Sequence, residues 1–191
     1  MKVMIALGGE EIYDVSAEEE KRFVSPECLK HIKTTIKNIF NMFPETRRFF
    51  KGLRFTKRLT SSYDPFERKL VFQVYGLDGT VAKAQLDISK GNKPGYVIYG
   101  DSNHAFTSLI VHEMAHCLDY FIRYLHRNDD DALMRYQSEK KQLQDKLGHR
   151  SEYSRKNIGE WFAEQFTYEF ITGGPENTLL QFIRGWIEGE D

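Results

Sequence analysis

Val111-His112-Glu113-Met114-Ala115-His116 sets two histidines four residues apart, with a glutamate directly after the first. On a helix, residues four apart lie one above the other on the same face. Two imidazoles so placed grip one zinc ion while the intervening glutamate faces a water on that metal. Leu109, Ile110, Val111, Leu118 and Phe121 flank the motif and predict that its helix is buried. Paired imidazoles in an apolar setting need a polar partner, and zinc supplies one. The sequence therefore points to metal-assisted hydrolysis of an amide.

A zinc centre that keeps a position open for water takes three protein ligands. The two histidines leave one to find. Asp119 falls on the same helical face three residues after His116, where ligation would demand a sharp bend; accepting the outer N–H of one imidazole suits it better. The stretch Gly159-Glu160-Trp161-Phe162-Ala163-Glu164-Gln165-Phe166 carries two glutamates on one face of a helix that its aromatics can anchor. One of these carboxylates reaching the metal completes a His, His, Glu set. Tyr153, in the polar loop before that helix, could donate a hydrogen bond to an oxyanion or a departing amine. His149 reads as a surface residue.

Farther from the motif the chain has an ordinary globular composition, 40% hydrophobic and 14% aromatic, enough for a substantial core. Twenty-seven basic and 28 acidic residues give a net charge of −1, so no overall field favours nucleic acid. The local run Arg47, Arg48, Lys51, Arg54, Lys57 and Arg58 reads as a solvated face. Cys28 and Cys117 are too few for a disulfide framework, and Cys117 points about 100° around the helix from His116, into the core. Met1 to Leu7 gives way to Gly8, Gly9, Glu10 and Glu11 too early for a signal-peptide core, and no run reaches membrane-spanning length. The expectation is a chain made in the cytoplasm, with no membrane and no nucleic acid among its partners.

Ser25 as N-cap, Pro26 at the first position and Glu27 in the first turn open a predicted helix, whose apolar spacing runs from Leu29 to Phe43 and stops at Pro44. Leu70–Tyr75 and Val81–Ile88 read as strands joined by a hairpin turn at 76–79. Tyr96–Tyr99 reads as a short third strand, and Phe49–Leu59 is a candidate for another. From about His104 onward everything reads as helical: the motif helix to about Arg127, then Asp130 to Leu147, Asn157 to Thr172 and Asn177 to Glu188. Residues 1–50 are expected as an N-terminal helical extension packed on the domain formed by 51–191. A small sheet followed by helices makes an α+β domain.

Val111 to Tyr120, followed by Tyr153-Ser154-Arg155-Lys156-Asn157-Ile158-Gly159-Glu160-Trp161-Phe162-Ala163-Glu164, resembles the lethal factor-like family of gluzincin metallopeptidases, which includes the Pro-Pro endopeptidases. The resemblance is specific over residues 105–170. It implies a zincin-like metallopeptidase domain with a small mixed sheet and a helical C-terminal half. It also implies one zinc per chain, with His112, His116 and Glu160 as ligands, Glu113 as general base and Tyr153 assisting the transition state. Asp119 matches an aspartate of the family, and Glu164 stands behind the ligands. Met114-Ala115 replaces the family's bulky-then-glycine pair. The resulting expectation is a zinc endopeptidase acting on a peptide or protein, whose backbone pairs with an edge strand at 95–99. The alternatives are a silent zinc-stabilised binding module, and a toxin- or prophage-type effector peptidase with one narrow target and an immunity protein or inhibitor as partner.

Overall fold

The computed structural model describes residues 3–7, 10–14, 24–56, 61–73, 76–100, 102–173 and 178–189, with backbone alone for 3–14. Strands β1 (Val3–Leu7) and β2 (Glu10–Asp14) pair antiparallel, with Leu7 opposite Glu10. Helix α1 (Pro26–Met42) begins where Ser25 Oγ accepts the Cys28 N–H at 3.0 Å. It buries Cys28, Ile32, Ile36, Ile39 and Phe40 on one side, as the helical period requires. Pro44 then opens a short 3₁₀ turn (Pro44–Arg48) that leads into the sheet.

Strands β3 (Gly52–Thr56), β4 (Ser62–Asp64) and β5 (Lys69–Gln73) form a mixed sheet in the order β3-β5-β4, parallel between β3 and β5 and antiparallel between β4 and β5. Among the described residues no strand pairs with the outer side of β4. The expected strand at Phe49–Leu59 corresponds to β3, with 57–60 outside the described residues. That at Leu70–Tyr75 corresponds to β5, with Val74 and Tyr75 outside them.

Two expected strands are absent from the fold. Val81–Ile88 lies in helix α2 (Val81–Gly91), not in a hairpin with β5. Thr80 caps it by accepting the Lys83 N–H at 3.1 Å, and the Glu27 carboxylate accepts the Val81 N–H at 2.8 Å. Val81, Ala84 and Ile88 face the core at helical spacing, whereas Leu86, which completed the strand-like alternation, is 52% exposed. The segment 76–79 is thus a loop into a helix; its carbonyls at Leu77 and Gly79 bind the Ser25 N–H and hydroxyl. Tyr96–Tyr99 is a chain of turns. Tyr96 N–H bonds Lys93 O, Gly100 N–H bonds Val97 O, and Asn92 Nδ2 ties both Ile88 O and Gly100 O. Tyr99, at φ 55°, sits in the left-handed region that a strand does not use.

The motif helix α3 (Ala105–Leu125) runs through the core and is buried nearly all round. Its first turn is anchored by Gln85 of α2, whose side chain accepts the Phe106 N–H at 2.6 Å. Helix α4 (Asp130–Leu147) starts with Asp129 accepting the Ala132 N–H and ends at Gly148, φ 70°. A 3₁₀ turn (Tyr153–Arg155) precedes α5 (Ile158–Thr172), and α6 (Thr178–Glu188) closes the chain. Helix α5 packs along α3, and α1 and α2 also pack on α3. The architecture is α+β, with a helical majority around one core that takes side chains from α1 through α6 and the sheet.

Candidate metal centre

Helix α3 presents His112 and His116 one turn apart toward α5, and the first turn of α5 presents Glu160 to both. Asn157 Oδ1 accepts the Glu160 N–H at 2.9 Å, and Trp161 Nε1–H binds Gly148 O at 2.7 Å, so cap and indole together set the rotation of α5. His112 Nε2 lies 3.1 Å from Glu160 Oε2 and 3.2 Å from His116 Nε2; His116 Nε2 lies 3.3 Å from the same carboxylate oxygen. These three atoms make a nearly equilateral triangle. A zinc tetrahedron with ligand bonds of about 2.0–2.1 Å has edges of roughly 3.3–3.4 Å, so the triangle matches one of its faces. The donor set, two imidazoles and a carboxylate, is also the chemistry zinc accepts.

Burial opposes charge on His112, but the Glu160 and Glu164 carboxylates, which accept hydrogen bonds from its ring, outweigh it and carry its pKa up to about 10. Burial likewise opposes charge on Glu160, and the two histidines hold its carboxyl well below the usual range. Glu113, beside them, is 6% exposed, and burial raises its carboxyl above the ordinary value against the pull of His112 and His116.

Behind His112 stands Glu164, 1% exposed and fully engaged. Its Oε1 accepts from His112 Nδ1 at 2.9 Å, and its Oε2 accepts from Ser151 Oγ at 2.5 Å and from the Ile98 N–H at 2.6 Å. This leaves Nε2 of His112 free to face the triad. Ser151 and the Ile98 amide escaped the sequence reading: a loop serine and a backbone donor leave no pattern there. The turns at 95–98 thus brace the centre. Ser108 Oγ donates to Ile98 O, and Gly95 O and Tyr96 O accept the Glu152 and Tyr153 amides.

Tyr153 is brought beside the triad, with its ring 5.7 Å from that of His112 in an edge contact. Burial raises its phenol pKa, as does Glu160, while Lys156, 3.7 Å above the ring, opposes the rise. Asp119 is not brought to an imidazole. Its carboxylate accepts Tyr136 Oη at 2.5 Å and Lys140 Nζ at 2.6 Å and pairs with Arg123 at 3.1 Å, away from the histidines. His149 is exposed and bonds Ser154. Both cysteines are free and buried.

A cleft of about 400 Å³ opens beside the centre, with His112, Glu113, Tyr153, Ser61, Tyr96 and Lys156 among its lining residues. A helix carrying two convergent histidines, one of which lines a cleft, met by a glutamate from a second helix, defines a protein with a candidate His–His–Glu metal centre. The family described as anthrax toxin lethal factor, N- and C-terminal domain, matches residues 74–181, more than half of the chain, and the chain belongs to that family. No curated protein and no solved structure matches it significantly. Among the described residues no helix is long and apolar enough to cross a membrane.

Proposed function

We propose that the protein is a zinc-dependent endopeptidase. The observation that carries this reading is the convergence of His112, His116 and Glu160 within 3.3 Å of one another, with Glu113 beside them in an open cleft. Zinc held by the three residues would polarise a scissile carbonyl and lower the pKa of a water toward neutrality. Glu113 takes the proton of the attacking water and passes it to the leaving amine; its raised carboxyl suits that exchange. Tyr153 donates a hydrogen bond to the developing oxyanion from across the His112 ring. Glu164 fixes the orientation of His112.

The side of β4 that no described strand covers takes the place assigned from sequence to 95–99, whose backbone groups are spent on bracing the centre. Ser61, directly before β4, lines the cleft, so a peptide added along β4 reaches the metal by main-chain pairing. Family membership supports a protease and a toxin relationship. A catalytically silent zinc module has no use for a buried Glu113 aimed at the cleft.

Digestion of a proteome-derived peptide library by wild type and by Glu113→Gln, at matched zinc content, tests the reading. Cuts are expected from the wild type alone, and their sequences report the subsites. Equal cutting by both proteins would remove Glu113 from the mechanism, and no cutting by either would remove the peptidase.

A further inference from the structure

We infer that an open groove beside the cleft is a docking surface for an acidic, aromatic-containing segment of the substrate, an inference that rests on the peptidase reading above. The groove encloses about 710 Å³ between the C-terminal half of α3 and the β4–β5 turn. Its lining holds Phe66, Tyr120 and Tyr124 together with Arg68 and Arg123, and no carboxylate among the described residues.

Two observations give this surface a purpose. The first is its unusual exposure. Phe66 is 96% exposed at the tip of a tight turn that Asp64 holds by accepting the Phe66 and Glu67 N–H groups. Tyr120 and Tyr124 are 37% and 42% exposed. Fully solvated phenylalanine next to further aromatics forms an apolar patch that a partner covers at a gain. The guanidiniums give the patch its sign. Arg123 lies 4.1 Å over the Tyr120 ring and shares its charge with Asp119; Arg68 lies 5.3 Å over Phe49 and has no ion pair with any described carboxylate. A chain of net charge −1 thus concentrates positive charge on aromatic faces here, where carboxylates and rings of a partner bind together.

The second observation is continuity with the centre. Tyr120 and Tyr124 follow His116 along α3 at four-residue steps, about 6 Å of axis each, so the groove lies beyond the C-terminal side of the triad on the same helix. On the opposite wall, β4 runs from Ser61 in the cleft to Pro65 and Phe66 in the groove, and the Tyr63 ring meets the Tyr120 ring at 5.6 Å. A peptide pairing with β4 in the stronger antiparallel sense leaves the cleft at Ser61 and carries its N-terminal side over Phe66. The acidic segment accordingly lies N-terminal to the bond that is cut. The basic run around Arg48 and Lys51 borders the same turn, through the Lys51 N–H bond to Arg68 O, and adds long-range attraction.

The test is direct binding of a short fluorescein-labelled peptide of alternating Asp and Tyr, read by anisotropy, with a Lys-for-Asp peptide as comparison. Phe66→Ala removes an exposed ring, and Arg68→Asn removes the charge while tolerating the left-handed φ of 56° at that position. Wild type is expected to bind the acidic peptide and not the basic one, with affinity falling as salt rises to about 0.5 M. Each substitution is expected to weaken binding about tenfold while zinc content and melting temperature stay at wild-type values. For any peptide that is cut, adding the acidic tract N-terminal to the cut is expected to lower KM in the wild type and not in the variants. Unaltered binding in both variants, no preference for acidic over basic peptide, or occupation of the groove by a second copy seen as concentration-dependent mass would overturn the assignment. Binding lost in the variants while no peptide is ever cut would leave the docking surface standing and remove the peptidase reading.

Discussion

At the scale of single residues, the centre depends on side chains that differ greatly in how visibly the sequence announces them. His112, Glu113 and His116 declare themselves by spacing. Glu160 and Glu164 stand out as a pair on one helix face, and the resemblance alone distinguished ligand from support. The structure gives that distinction a geometry: Glu160 Oε2 joins the triangle of donors, and Glu164 is saturated by His112, Ser151 and the Ile98 amide. Replacing Glu164 with Ala frees the His112 ring and is expected to lower zinc affinity by roughly 10–100-fold. Competition with a chelator of known affinity measures it, and an unchanged value would deny the residue its orienting role. Tyr153→Phe keeps the ring against His112 and removes only the hydroxyl. It is expected to reduce kcat by about 10²-fold or more with KM little changed, as steady-state kinetics on a fluorogenic peptide would report.

Elements explain where the sequence reading succeeded. Helices α4 and α5 carry their own punctuation: Asp129 and Asn157 as caps, Gly148 and Gly173 in left-handed or extended positive-φ endings. Helix α2 misled because Val81, Ala82, Ala84, Leu86 and Ile88 satisfy a period of two nearly as well as one of 3.6, and its N-cap Thr80 directly follows the stretch 76–79 that reads as a hairpin turn. Strand β4 has three residues, too few for any period, and it exists because β5 offers it a ladder. Asp119 illustrates the limit for tertiary partners. Its neighbours Tyr136 and Lys140 come from α4, so the buried cluster rivets α3 to α4, and no local pattern predicts it. Lys140 is 1% exposed, and Asp119→Ala would strand it without a counter-charge, at an expected cost of about 3–5 kcal/mol. Adding Lys140→Met should return much of that loss, a coupling that denaturant titration of the double-mutant cycle measures. The pH dependence follows with a definite sign. Burial would raise the Asp119 carboxyl, but Lys140 and Arg123 hold it below its ordinary value. A depressed carboxyl contributes stability that is complete above the unfolded pKa of about 3.9 and lost as pH falls through the folded value. Acid unfolding of Asp119→Asn should therefore be shallower than that of wild type below about pH 4.

For the whole molecule, the fold's business is to bring α5 and the 95–98 turns against α3, so that the three candidate ligands and their supports arrive in one place. Metal binding to such a site stabilises the native state alone. At free zinc about 100-fold above the dissociation constant the gain is about 2.7 kcal/mol, which corresponds to a rise in Tm of roughly 5–10 °C for a chain of this size. Calorimetry with and without chelator reads it, and an identical Tm would place the metal elsewhere or nowhere. The most direct measurement is a zinc titration of chelator-stripped protein with peptide cleavage as the readout. Activity is expected to rise linearly to one equivalent of zinc per chain and then stop, while Glu113→Gln takes up the same equivalent and stays inactive. Cleavage that persists in the stripped protein, or one equivalent of bound zinc with no cleavage from the wild type, would contradict the account.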